Sequence, residues 1–348
     1  MLLDWVTARA PLTLFADSDL ARLMTLGDRI QRLDAATGAV VWETQAWDSI
    51  RSDSHHLSYR VGGDALWMQG SPARVIGDGD AVFGAGPARA LDLCGCVARM
   101  GEVLGHALDM VLPDPLRWVV SRVDVTGNLL LPSLADVRQA LMILRNCEGG
   151  RYRVSQQAGD SVYWSHRSKL KSGKAYAKGP HLGHLMRQND YDGRPYNADE
   201  IEQASLLLRL ELSLRAQWWR ERSGRPWHEI TPEQLKTGWR TYFERMMGDV
   251  EVTEMNIEQR VQAVAPTQGQ AKAAIGCWAL IKAYGWEKAR EMSSARTWYR
   301  NLKVLRAAGL SDADLSAGNV VAIRRPLIQC QVVDSWEELR QACGRLAA

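Results

Sequence analysis

One tyrosine, Tyr176, stands in the segment KSGKAYAKGPHLGH (171–184), which holds three lysines, two histidines and no acid. Flanked by Lys174 and Lys178, its phenol is placed to attack a polyanion. A tyrosine between lysines is equally a half-buried strand residue, and the segment by itself leaves both readings open. Its surroundings are strongly basic. Residues 151–178 carry seven Lys/Arg, among them Arg167, Lys169 and Lys171, against one acid, Asp160. Residues 270–309 carry eight against Glu287 and Glu291, while the whole chain nets only +3. Two basic zones on an otherwise acidic body point to a polyanion that touches two places, or else to two ordinary solvated faces. Fourteen tryptophans are many for a chain of this length; most are expected in the core, and some are candidate stacking platforms for unpaired bases.

The bulk numbers narrow the class. A chain of 348 residues, 24% charged and 46% hydrophobic, is expected to be a soluble globular protein of two domains. It has no apolar run near the roughly 18 residues of a membrane helix. The opening MLLDWVTARAPLTLF lacks a basic n-region and a small-residue cleavage site, so no signal peptide is expected. Cys94, Cys96, Cys147, Cys277, Cys330 and Cys343 are scattered, and only Cys94-Gly-Cys96 is close. Reduced thiols and a cytosolic location follow.

The elements that must position Tyr176 are strands. HLSYRV and ALWMQG flank Gly62-Gly63-Asp64, a hairpin signal. RWVVSRVDVTG (117–127) alternates, and YRVSQ, SVYWSH and KSGKAYAKG read as short strands. In ASLLLRLELSLRAQWW (204–219), Leu208, Leu210, Leu212 and Leu214 face one way and Arg209, Glu211, Ser213 and Arg215 the other. Helical periodicity marks 88–108, and Ser133 caps LADVRQALMILRN. The loop GDGDAVFG (77–84) lacks the Lys-Ser/Thr ending of a phosphate loop and is not read as a nucleotide site. The expected fold is α+β, a central, mostly antiparallel sheet with flanking helices over residues 1–225.

Residues 226–348 are expected to form a mainly helical DNA-binding or accessory domain, with 249–270 as a linker and NVVAIRRPLIQCQVVD as a possible small strand. Within it, QAKAAIGCWALIKAYG, WEKAREM and SARTWYRNLKVLRAAG read as three helices. Ser294 is a natural N-cap of the third and Gly309 its stop. Trp298, Leu302 and Leu305 share one face of that helix, and Arg296, Arg300 and Lys303 another. A short helix, a turn and a helix with a basic face form a helix-turn-helix-like pattern, which any three-helix bundle can also show.

GSPARVIGDGDAVFG, SRVDVTG, VYWSHRSKLKSGKAYAKG and LLRLELSLR, in that order, resemble the gene II/gene X replication initiators of filamentous phages and related plasmids. The resemblance spans residues 1–220 and implies a rolling-circle initiator. Such a protein nicks one strand of double-stranded origin DNA, stays joined to the 5′ phosphate through a tyrosine and leaves a 3′ hydroxyl. It later rejoins the displaced single strand. The family's Tyr-X-Lys motif falls on Tyr176-Ala177-Lys178, with Lys174 and Lys178 expected to favour the phenolate. The resemblance also implies Mg²⁺ or Mn²⁺ to polarise the phosphate. No His-hydrophobic-His strand is present to bind it. His55 and His56, being adjacent, point to opposite faces of a strand. Asp124 and Glu211 are the better ligand candidates, unless they simply pair with Arg122 or Arg209. His181, where the family often has an acid, is an open choice as third ligand, with His56 behind it. Tyr191 and Tyr196 are rival nucleophiles. A host helicase, a polymerase and a single-strand-binding protein are implied partners, and the bacterial host cytoplasm the implied location.

Two functions remain. One is a metal-dependent, site-specific DNA nickase and strand transferase. The other is a non-catalytic DNA-binding replication or transcription regulator. Acids beside a nucleic-acid surface repel phosphate unless a cation intervenes, so Asp124 and Glu211 favour the first.

Overall fold

Period-two alternation of apolar and polar residues dictates strands, and strands dominate the first two thirds of the chain. The computed structural model describes residues 1–52, 55–145, 154–158, 160–188, 191, 193–222, 225–247, 257–310, 315 and 331–347. The strands are β1 (Leu2–Pro11), β2 (Arg29–Leu33), β3 (Val40–Gln45), β4 (Asp48–Ser52), β5 (His55–Gly62), β6 (Ala65–Gly70), β7 (Val119–Leu130), β8 (Val154–Ala158), β9 (Ser161–Trp164), β10 (Lys171–Ala177), β11 (Leu207–Leu214) and β12 (Val332–Val333). Apart from the β2–β3 ribbon they form one sheet in the order β4-β5-β6-β1-β7-β11-β10-β9-β8, with β12 added on β7. Each of its pairs is antiparallel. The strands expected at 117–126, 206–214 and 172–178 are thus direct neighbours at its centre.

The two faces of that centre differ in chemistry. One carries Val123, Val125, Leu129, Leu208, Leu210, Leu212, Leu214, Ala175 and Ala177, all buried. The helices Leu134–Arg145 and Pro232–Met247 pack against these strands. Trp239 and Tyr242 come so close that a Cβ at Gly127 would stand 2.7 Å from the Trp239 ring, and one at Gly173 2.7 Å from Tyr242. Glycine is required at both by proximity, not by backbone angle. Trp239 Nε1 then donates to the Leu210 carbonyl at 2.9 Å, tying the helix to the sheet. Gly127→Ala should lower the stability of the fold by about 1–3 kcal/mol, the scale of overpacking a core. A urea midpoint equal to that of the wild type would show instead that the Trp239 ring moves aside freely.

Trp227, Ile230, Leu235, Trp239, Tyr242 and Phe243, expected to begin the second domain, lie in the core of the sheet. The reason is their large apolar side chains, which cover a sheet face that 134–145 alone leaves open. The chain also returns at its other end. Val332 and Val333 pair with Leu129 and Asn128 of β7, and the helix Trp336–Ala347 follows directly. Between these, Ile257–Val264, Gln268–Tyr284, Trp286–Glu291 and Ala295–Ala307 are helices with a separate core that includes Ile257, Val261, Cys277, Ile281, Trp298, Leu302 and Leu305. Part of the expected linker is therefore helix, held by Ile257 and Val261 at i, i+4; residues 248–256 lie outside the described residues. So do 316–330, most of the strand expected at 319–334, and Cys147 and Cys330. Cys94, Cys96, Cys277 and Cys343 are free thiols.

In the third long helix of this unit, Ser294 Oγ accepts from Thr297 N at 3.3 Å, and Gly309 takes φ +86° just beyond its end. Trp298, Leu302 and Leu305 face inward, while Arg296, Arg300 and Lys303 are exposed.

Candidate active site

The second face of the central strands is polar, yet it too is covered. Cross-strand partners lie on one face, so the registers place its side chains in rows. Ser161, Tyr176, Arg209 and Asn128 form the first row, and Tyr163, Lys174, Glu211 and Thr126 the second. Ser172, Ser213, Asp124 and Trp5 form the third. On β11, alternation gives two buried faces rather than one buried and one wet: Leu207 to Leu214 are all buried, Arg209 and Glu211 included. Over one end of the polar face lie Val82, Phe83, Leu182, Tyr196, Val333 and Leu339, a small apolar cluster of its own.

Tyr176 sits in the middle, 2% exposed. Its hydroxyl donates to Glu211 Oε1 at 2.6 Å. Lys174 Nζ lies 3.7 Å from Glu211 Oε2 and 4.0 Å from the centre of the Tyr176 ring. Lys178, the first residue of the helix Lys178–Leu185, is buried, with Nζ 5.9 Å from the same ring. The electrostatics run opposite to the expectation from the flanking lysines. Burial, and then the Glu211 carboxylate, push the Tyr176 phenol well above its ordinary value of 10. Burial and the neighbouring Arg209 push the Lys178 ammonium well below its own. Burial would also raise the Glu211 carboxyl, but Lys174 and Arg209 together outweigh it and hold the group below the ordinary carboxylate value.

Two further participants were not among the expected site residues. Arg209, fully buried, donates Nη1 to the Ala81 carbonyl at 2.6 Å and Nη2 to the Val82 carbonyl at 2.9 Å. The glycine-rich loop, rejected as a nucleotide site, is thus a clamp for an arginine beside the tyrosine. Asp4 is the extra residue of a β-bulge between Leu3 and Trp5, which brings it among Arg209, Glu211, Lys178 and Lys174. Burial raises its carboxyl above the ordinary value. An acid in the apolar run LLDWV was the only sequence signal for it.

The expected ligands are not assembled into a metal site. Asp124 is buried and bound by Arg122, with Nε at 2.9 Å and Nη2 at 2.5 Å, which is the ion-pair alternative. Glu211 is engaged by Tyr176 and Lys174. His181 packs against Tyr176 with ring centres 4.6 Å apart and the rings tilted by 54°. Among the described residues, no three or more His, Cys, Asp and Glu side chains are grouped closely enough to hold a metal ion. His55 and His56 lie on β5, opposite Ser52 and Arg51 of β4. The donor set of Asp124, Glu211 and His181 therefore does not fit the ion as arranged: Arg122 holds Asp124, and Tyr176 and Lys174 hold Glu211.

His181 has a measurable consequence. Burial, reinforced by Lys178, Lys174 and Arg209, lowers its pKa from 6.5 to about 2. Between those values the unfolded chain binds the proton and the folded chain does not, so stability rises with pH across that window and falls as pH drops below 6.5. His181→Phe should remove a slope of about 1 kcal/mol per pH unit between pH 6 and 4. Parallel wild-type and variant stability profiles over that range would contradict it.

Of the rival tyrosines, Tyr191 donates to the Arg194 carbonyl at 2.7 Å. Tyr196 is buried and donates to Asp80 Oδ1 at 2.9 Å. Burial first, then Asp80, raises its phenol. Neither joins the polar rows around Tyr176. Beyond the face, Arg167 and Lys169 are exposed and Lys171 is half-buried, its Nζ 5.7 Å from the Trp218 ring.

The chain is similar in sequence to known replication proteins. A family model described as the N-terminal part of a phage "Replication-associated protein" matches residues 3–233. The replication-associated protein of the same description from Enterobacteria phage I2-2 is 24% identical over 350 residues, covering 94% of this chain and 93% of the phage protein. A rolling circle replication initiator protein from Geobacillus stearothermophilus aligns in structure over 61% of this chain and 73% of its own, with 10% identity and a TM-score of 0.24.

Proposed function

The chain belongs to the phage replication-associated protein family, a family of rolling-circle replication initiators, and from that premise we propose that it nicks one strand of origin DNA with Tyr176 and later reseals it. The observation that carries the reading is the Tyr176 hydroxyl, held at 2.6 Å by a carboxylate with Lys174 over its ring.

Glu211 is in position to take the phenol proton as the oxygen attacks phosphorus. The Tyr176 oxygen–phosphorus bond forms, and the bond to the 3′ oxygen breaks. That oxygen leaves with the electron pair and takes a proton from solvent. The product is a 5′-phosphotyrosine and a free 3′ hydroxyl. The ester keeps the bond energy of the phosphodiester, so a 3′ hydroxyl can attack it later and restore a strand without ATP. Lys174, with 24% of its side chain exposed over a nearly buried ring, is the cation an incoming phosphate meets first. Arg167, Lys169 and Lys171 then take the flanking backbone. Arg296, Arg300 and Lys303 take duplex origin DNA, in a helix-turn-helix-like role. Host helicase, polymerase and single-strand-binding protein complete the reading as partners, in a bacterial host cytoplasm. No helix among the described residues is long and apolar enough to cross a membrane.

The burial of Tyr176 favours a second reading, a DNA-binding regulator without chemistry. One experiment separates the two. Supercoiled origin DNA is incubated with the protein in Mg²⁺, in Mn²⁺ and in EDTA, then treated with protease. A protein-linked 5′ end supports the nickase, and bound but uncut DNA in all three supports the regulator. The EDTA arm separates a cation requirement of the DNA complex from chemistry done by the side chains alone.

A further inference from the structure

We propose that Asp80 and Trp336 are positioning residues for the nicking step: the C-terminal helix Trp336–Ala347 acts through the 77–84 loop to seat Arg209 beside Tyr176. The proposal rests on Tyr176 being the nucleophile. Arg209 faces Tyr176 across the β10–β11 pair, and both of its terminal nitrogens end on loop carbonyls, Ala81 and Val82. Asn128 Nδ2 donates to the same Val82 carbonyl at 2.9 Å. The loop is held in shape from its own side by Asp80, which is 3% exposed. Asp80 Oδ1 accepts from Val82 N at 2.9 Å and from the Tyr196 hydroxyl at 2.9 Å. The same hydroxyl accepts from Ala81 N at 2.7 Å.

The remaining oxygen, Asp80 Oδ2, accepts from Trp336 Nε1 at 2.8 Å. Trp336 also packs edge-on against Phe83, with ring centres 5.2 Å apart. The segment is anchored just before it by Val333, which pairs with Asn128. Both arms of the C-terminal return therefore converge on Val82, the residue that holds Arg209. A carboxylate buried this deeply needs all its donors, since losing one leaves it unsatisfied in a medium of low polarity. The chain thus links a tryptophan near its end to a guanidinium at the tyrosine. Arg209 draws the pKa of the Tyr176 phenol down, against the carboxylates of Glu211 and Asp4. Its correct seating matters most as negative charge develops on that oxygen.

Trp336→Phe keeps an aromatic ring against Phe83 and deletes one N–H. Asp80→Asn, the second variant, turns an amide N–H toward the Trp336 N–H. Each is assayed in the full-length protein for nicking turnover, for the affinity and salt slope of duplex origin binding, and for the pH dependence of nicking. The expected result is a loss of about 10- to 100-fold in turnover, the scale of misplacing a group by a fraction of an ångström to 1 Å. Duplex affinity and salt slope stay unchanged, and the alkaline limb of the pH profile moves to higher pH. Wild-type turnover in both variants overturns the proposal. So does a loss of turnover matched by lost DNA affinity with an unmoved pH profile, which is a general structural defect. Full nicking by Tyr176→Phe in the same assay would instead remove the reading on which the proposal rests.

Discussion

Tyr176→Phe leaves the protein folded and abolishes both nicking and the covalent 5′ adduct. The substitution deletes one oxygen from a ring that stays packed on His181, 4.6 Å between centres. Its local cost is the hydrogen bond to Glu211, about 1–3 kcal/mol for a carboxylate left short of one donor. Lys174 continues to neutralise that carboxylate. The catalytic cost is of another order. Without the attacking oxygen no phosphotyrosine can form, and losing a covalent nucleophile lowers turnover on the order of 10⁴- to 10⁶-fold. The check is strand scission of supercoiled origin DNA beside a thermal melt of the variant. Undiminished nicking by Tyr176→Phe, with loss in Tyr191→Phe or Tyr196→Phe, would move the role to that tyrosine.

Replacing Arg296, Arg300 and Lys303 together with alanine should weaken duplex origin binding and flatten its salt dependence. All three are exposed, whereas Trp298, Leu302 and Leu305, at 1%, 0% and 0% exposure, keep the helix packed. Each cation on a phosphate contributes about 0.9 to the slope of log affinity against log salt, so the triple variant should lose about 2.7 units of slope. Cleavage of a short single-stranded origin oligonucleotide should persist, because Tyr176 and Glu211 lie on the sheet. Wild-type binding at every salt concentration would reduce this face to a solvated rim.

The central strands were legible because a strand's period of two is local information. LLRLELSL states its own two faces, and SRVDVTG and KSGKAYA match it in length, so their adjacency follows from burying the shared apolar side. The basic face of 295–307 was legible for the same reason, as a helix declares its stripes every three to four residues. The inward return of Trp227 to Phe243 was not, because the residues that need covering lie on strands distant in sequence.

What the sequence alone determined is therefore the inventory and the facing: a tyrosine, lysines, an arginine and acids on one side of three strands. Tertiary structure decided what those groups are to one another. The bulge that turns Asp4 into the cluster exists only against β7. The loop carbonyls that hold Arg209 come from Ala81 and Val82, more than 120 residues away in the chain. The Tyr176 pKa shifts in the direction opposite to the one its flanking lysines suggest. The lysines beside it in sequence suggest a phenolate, but desolvation acts on the charged form through everything that excludes water, and burial, with Glu211 behind it, raises the phenol instead. Flanking charge can be read from neighbours in the chain, whereas burial is a property of the whole fold.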